Sequence, residues 1–216
     1  MKKSIYLLIG LVLVFKGVYA QVEISILTNK GEIIVSLYEE TPIHRDNFLK
    51  LVEKEFYDSI LFHRVIKDFM IQAGDPGAKP SSKKKKFGGG GPGYTLEAEI
   101  MPQFIHKKGA LAAARLGDDI NPKRRSSGSQ FYIVQGRTFQ RKYMSTFEET
   151  RGAKYSEKEL EIYETYGGTP HLDGQYTVFG EVVQGMNIVE EIARVKTNTA
   201  DQPIEAIYII KMKRIK

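Results

Sequence analysis

Cysteine is absent from the 216 residues. No disulfide framework, thiolate nucleophile, iron–sulfur cluster or cysteine zinc site can be built from this chain. That absence assigns no redox compartment, because a chain of this length buries a core without covalent staples. Tryptophan is absent too. Long hydrophobic runs are scarce: the longest, Ile5 to Phe15, is shorter than the roughly 20 residues a membrane span needs, and Lys16 closes it. Excess charge is small. The formal charge is +6, and Lys2, Lys3 and Lys16 supply three of those charges in a stretch of twenty residues without an acid. What remains is too little to imply nucleic acid as the main partner.

Several catalytic signatures are missing as well. His44, His63, His106 and His171 are not spaced as HExxH or as another zinc pair. Gly128-Ser129-Gln130 lacks the closing glycine of a nucleophile elbow. The glycine run 88–91 is not followed by Lys-Ser or Lys-Thr, so it is no phosphate-binding loop and reads as flexible backbone. The lysine run Lys83–Lys86 reads as a solvated loop. Generic hydrolase, metalloenzyme and nucleotide-binding functions find little support.

What is there is an ordinary globular balance, 42% hydrophobic and 27% charged. Lys2-Lys3, the apolar run and Val18-Tyr19-Ala20 have the layout of a secretory signal peptide, with cleavage near Ala20. We expect residues 1–20 to be removed and residues 21–216 to act in the periplasm or cell envelope, not spanning the membrane. An uncleaved anchor helix is the alternative.

Val22, Ile24 and Ile26 alternate with polar residues, as do Ile33, Val35 and Leu37, around a turn at Asn29-Lys30-Gly31. That period predicts two half-buried strands. Thr41-Pro42 opens a helix, with Thr as N-cap and Pro at its first position. Leu61 to Ile71 reads as two short strands around Lys67-Asp68, and further strands are expected near 94–96, 109–114, 129–134 and 175–183. Gly185 precedes a short amphipathic helix. The last strand is placed at about Ile204 to Met212, with Ile207 to Ile210 covered on both faces. Between strands, 137–169 reads as a charged, tyrosine-rich insertion. Ser156 and Glu159 form a capping box there, predicting a helix from about Glu157 to Tyr166. Many strands and few long helices suggest an antiparallel sheet or barrel.

Residues 62–76 read FHRVIKDFMIQAGDP. Strand alternation puts Phe62, Arg64 and Ile66 on one face, with Phe69, Met70 and Gln72 close behind. The segment fits an apolar cleft with polar anchors, and equally a core strand with Arg64 as a surface charge. Together with GALAAAR (109–115), SGSQFYIV (127–134) and HLDGQYTVFGE (171–181), in this order and spacing, it resembles the cyclophilin family of peptidyl-prolyl cis-trans isomerases. NFLKLV (47–52) and GMNIVEEI (185–192) extend the resemblance over nearly the whole chain after residue 20.

The resemblance implies a mainly β fold, a closed eight-stranded antiparallel β-barrel capped by two α-helices, interrupted here by the 137–169 insertion. It implies isomerase activity on proline-containing unfolded or extended polypeptides, in the service of folding exported proteins, by a monomer without metal or cofactor. Arg64 matches the catalytic arginine. Phe69, Met70 and Leu172 match the proline pocket, Gln72 the amide beside the arginine, and Ala114 and Gln130 the groove. Tyr132 stands where phenylalanine is usual, His171 where tryptophan or phenylalanine is, Tyr176 where histidine is, and Arg115 where asparagine is. These departures leave the pocket's apolar body intact and change its polar rim. Phe131, on the opposite face of its strand from Gln130 and Tyr132, is expected in the core. The rival reading is a chaperone that holds extended clients without efficient turnover.

Overall fold

The computed structural model describes residues 21–79 and 87–216. The leader expected over 1–20 and the lysine run Lys83–Lys86 lie outside them.

Strands β1 (Glu23–Thr28) and β2 (Gly31–Leu37) pair antiparallel, as their alternation predicts. The Thr28 side chain closes the turn between them, accepting from the Lys30 and Gly31 amides at 3.0 and 3.1 Å. Helix α1 (Pro42–Glu53) follows. Its expected N-cap, Thr41, makes no capping bond through its side chain. The Glu99 carboxylate does that work instead, accepting from the Ile43 and His44 amides at 3.0 Å each. Strands β3 (Arg64–Ile66) and β4 (Met70–Ala73) form the predicted hairpin, with Asp68 at φ +61 in its turn. Then come β5 (Thr95–Leu96), β6 (Ala110–Arg115) and β7 (Ser126–Val134). Helices α2 (Glu148–Arg151) and α3 (Glu157–Thr165) lie within 137–169. Strand β8 (Val178–Gln184), helix α4 (Met186–Ala193) and strand β9 (Ile209–Arg214) complete the chain.

Eight antiparallel strands follow one another in the order β3-β4-β7-β6-β8-β2-β1-β9, and the two-residue β5 adds to β7. The sheet curls but stays open, which corrects the closed barrel expected from the sequence. Strands β3 and β9 share no ladder among the described residues. The chain before β3 turns at Glu55 and Ser59, both at positive φ, and meets residues 207–209 through the isolated bridge Leu61 to Tyr208, with backbone bonds from Ser59 and Phe62 to Ile209 and Ile207 and from Ile209 to Ile60. Three residues of β3 are too few to carry the pairing further.

The core fills the inside of the curl. Ile24, Ile26, Ile33, Val35, Ile71, Leu111, Phe131 and Ile133 point inward from alternate positions. Phe48 of α1 packs edge-on against Phe131, centroids 5.4 Å apart. Each such side chain contributes about 1.5–3 kcal/mol through burial. Phe131 is thus core, as expected. Phe62 departs from its expected face: it precedes β3 and is buried in the core with Val65, so alternation begins only at Arg64. The last strand also differs. Ile207 and Ile209 are buried, while Tyr208 and Ile210 are 36% and 45% exposed, so only one face meets the core.

Within 137–169 the Ser156 capping box is present and α3 starts where it predicts. This segment buries a small cluster of its own, Ile105 with Met144, Tyr155 and Tyr163. No helix among the described residues is long and apolar enough to cross a membrane.

Candidate active site

The outer face of β3, β4, β7 and β6 carries the expected residues because the register lines them up. Arg64 lies opposite Gln72, Gln72 opposite Tyr132, and Tyr132 opposite Ala112. Directly opposed residues of antiparallel strands share a face, so these four form one row across the sheet. Met70 lies two positions before Gln72, and Gln130 two before Tyr132, on the same face. The short side chains of Ala112 and Ala114 leave room above β6.

A cavity of about 620 Å³ opens on this face. Arg64, Phe69, Met70, Gln72, Ala114, Arg115, Tyr132, Leu172 and Tyr176 all line it. The sequence reading missed His63, Phe87, Gly88, Ala200 and Gln202, which line it too. Two of the expected residues sit elsewhere. Gln130 lines a neighbouring depression of about 560 Å³, bounded by Gly88–Gly91 and the Leu116–Arg125 loop. His171 lines neither; it is exposed and leans on Phe69 from outside, ring centroids 5.4 Å apart.

Arg64 is 44% exposed at the cavity edge, and its nearest carboxylate is Asp201, with Nε 3.6 Å from Oδ2. The Asp201 backbone carbonyl accepts from the Val65 amide at 2.8 Å, which ties the loop 197–203 to β3. Gln72 was expected to hold Arg64 or meet the substrate. Its amide donates instead to Gln130 Oε1 at 3.0 Å. Gln130 Nε2 donates in turn to the carbonyls of Gly88 and Gly90, at 2.9 and 2.7 Å. From the other side, Asp75 accepts from the amides of Gly88 and Gly90, at 2.6 and 3.1 Å. Gly88 and Gly90 are therefore clamped between Asp75 and Gln130, not loose backbone. A Cβ on Gly90 would stand 2.0 Å from Asp75 Oδ1, so glycine is required by close approach.

Tyr132 is buried and gives the cavity its ring face. Its hydroxyl turns away to His106 Nε2 at 3.1 Å, and burial pushes the phenol well above its ordinary pKa. Toward a ligand this tyrosine is apolar, like the phenylalanine it replaces. Arg115 is also committed to the protein. Its Nε donates to the Gln175 carbonyl at 2.9 Å, its Nη1 to the Leu116 carbonyl at 2.9 Å, and its guanidinium covers the Tyr176 ring at 4.5 Å. Of the cations lining the cavity, Arg64 alone has a guanidinium without a hydrogen bond to the protein among the described residues. Burial pulls the His63 imidazole below its ordinary pKa, so it stays neutral at pH 7. No group of three or more His, Asp and Glu side chains among the described residues could hold a metal ion.

A curled antiparallel sheet with an arginine-edged apolar cavity on its outer face is a cyclophilin-type architecture. Residues 22–214 match the family model of the cyclophilin type peptidyl-prolyl cis-trans isomerase/CLD, and the chain belongs to that family of isomerases. It is 32% identical over 190 residues to a protein of Staphylococcus haemolyticus (strain JCSC1435), covering 88% of this chain and 89% of that one. A protein of Staphylococcus aureus (strain COL) is 34% identical over the same shares. Both bear the name "Putative peptidyl-prolyl cis-trans isomerase". Among solved structures, a Cryptosporidium parvum cyclophilin type peptidyl-prolyl cis-trans isomerase superposes with a TM-score of 0.66 at 24% identity, covering 91% of this chain and 99% of that one. That likeness is one of fold.

Proposed function

We propose that the cavity binds the proline of extended polypeptides and that Arg64 catalyses rotation about the Xaa-Pro bond. The supporting observation is the Arg64 guanidinium, ion-paired to Asp201 at 3.6 Å but without a hydrogen bond to the protein among the described residues, at the edge of an apolar pocket built by Phe69, Met70, Tyr132 and Leu172. The amide barrier of ~18–20 kcal/mol comes from conjugation of the nitrogen lone pair with the carbonyl. In the twisted state that conjugation is lost, and the prolyl nitrogen becomes pyramidal and a better acceptor. A charged donor aimed at it gains a hydrogen bond that the planar state does not offer. The four apolar side chains grip the ring and exclude water. Taking an exchange of tens of seconds to milliseconds needs about 5–6 kcal/mol, within reach of one oriented donor plus fixed geometry. No bond breaks, so no cofactor is needed.

The related Cryptosporidium protein has a crystal structure in the presence of the dipeptide Ala-Pro, consistent with proline-containing peptides as ligands here. The leader-like residues 1–20 support a role in folding exported proteins in the periplasm or cell envelope. One preparation from the native envelope tests both parts. In a protease-coupled assay it should accelerate Xaa-Pro isomerisation with a chelator present, and its mass should begin at Gln21. Absence of acceleration refutes the isomerase reading; a mass that retains residues 1–20 refutes cleavage.

A further inference from the structure

We infer that the segment 137–169 sets the floor of the proline pocket through a buried hydrogen-bonded relay, with Asp173 and His106 as positioning residues. The inference rests on the isomerase reading above. Tyr155 and Tyr163, both in this segment, donate to Asp173 Oδ2 at 2.8 and 2.6 Å. Asp173 Oδ1 accepts from the His106 amide at 2.7 Å and stands 2.9 Å from His106 Nδ1. A carboxylate oxygen only accepts, so Nδ1 carries the hydrogen. In the neutral ring Nε2 is then an acceptor, and it faces the Tyr132 hydroxyl at 3.1 Å.

The relay's members are buried: His106 and Tyr163 are fully enclosed, Asp173 1% exposed, Tyr132 4% and Tyr155 7%. Away from water, an unmade bond is costly and a made one fixes geometry. The imidazole lies nearly parallel to the Tyr132 ring, 13° between planes, and edge-on to Tyr176. Moving His106 therefore moves two walls of the cavity. The segment also packs closely on the chain beside Asp173: the Arg151 carbonyl would lie 2.5 Å from a Cβ on Gly174. A merely decorative surface excursion would not place two phenols on the carboxylate that orients His106.

The test uses the full chain with Tyr132→Phe, with the pair Tyr155→Phe and Tyr163→Phe, and with all three changes. Turnover is resolved into kcat and KM at a temperature where circular dichroism shows the fold intact. KM should rise about three- to ten-fold in Tyr132→Phe, which loses one relay hydrogen bond, and at least as much in the pair, which loses two, with kcat within about two-fold. The triple variant should be no worse than the more affected of its parents. An unchanged KM in the pair, or effects that multiply in the triple variant, overturns the relay. Should the pair not fold, Tyr163→Phe alone takes its place. A second readout needs no turnover: the ring 15N shifts of His106 should show Nε2 as an unprotonated acceptor in the parent and move in the pair. Shifts identical in both overturn the relay. An inactive parent with moving shifts refutes only the isomerase reading.

Discussion

At the scale of single residues, the site's chemistry rests on which polar groups are already spent. Arg115 donates to backbone carbonyls, and Gln72 donates to Gln130. Tyr132 hides its hydroxyl. Arg64, which faces only the Asp201 carboxylate at 3.6 Å, is left for the proposed role. The two glutamines matter through the backbone they hold. Gln130→Ala frees the carbonyls of Gly88 and Gly90, and Gly88 borders both depressions. Losing bonds of about 0.5–1.5 kcal/mol each should raise KM roughly two- to ten-fold while sparing kcat. Steady-state kinetics on a proline peptide checks this, and a loss confined to kcat would contradict it. Arg64, Phe69, Met70 and Gln72 were legible through the resemblance carried by four ordered motifs; alternation along 62–72 alone left a core strand equally open. Phe87, Ala200 and Gln202 were not. They reach the cavity by tertiary folding from loops whose sequences carry no period.

At the scale of elements, most strands could be placed from alternation, and α3 from its capping box. The errors fall where a distant partner decides. Helix α1 begins at Pro42 as expected, but its capping carboxylate comes from Glu99, 55 residues away, which local sequence does not reveal. Glu99 also lies 2.7 Å from His44 Nδ1. Glu99→Ala should therefore cost about 1–3 kcal/mol and lower Tm by roughly 3–8 °C. Thr41→Ala should cost less, since its hydroxyl caps nothing. Thermal melts of the two variants decide, and a larger loss for Thr41→Ala would contradict the assignment. The last strand was misplaced because Ile207 to Ile210 is apolar throughout. A continuous apolar run does not say which residues a one-sided core will leave outside.

At the scale of the whole molecule, the family and the mainly β sheet were readable from four ordered motifs, while the opening between β3 and β9 was not. Closure depends on how far two edge strands extend, which alternation along the sequence does not reveal. Stability as a function of pH is also a property of the whole. Burial lowers the pKa of His44 and of His63 below the ordinary 6.5, against the pull of Glu99 and Asp75 respectively. Burial alone would raise Asp173, but the bonds from His106 and Tyr163 outweigh it and its pKa falls below 3.8. For all three groups the unfolded chain binds protons more readily than the folded one. Their contributions are complete above the unfolded values and vanish as pH falls through the folded ones. Tm should therefore drop from pH 7.5 to pH 5 and again below about pH 4. Calorimetry at constant ionic strength checks this; a higher Tm at pH 5 than at pH 7.5 would contradict it. The central claim is that one half-exposed guanidinium on a folded, proline-gripping surface performs the rotation. Its most direct measurement is cis-trans exchange of an Ala-Pro peptide by NMR, with the parent and Arg64→Ala at equal concentration. Loss of one oriented charged donor should lower kcat/KM by about 10²–10³-fold. Arg64 is 44% exposed, so Tm should hold within about 2 °C. Exchange as fast with Arg64→Ala as with the parent would contradict the account.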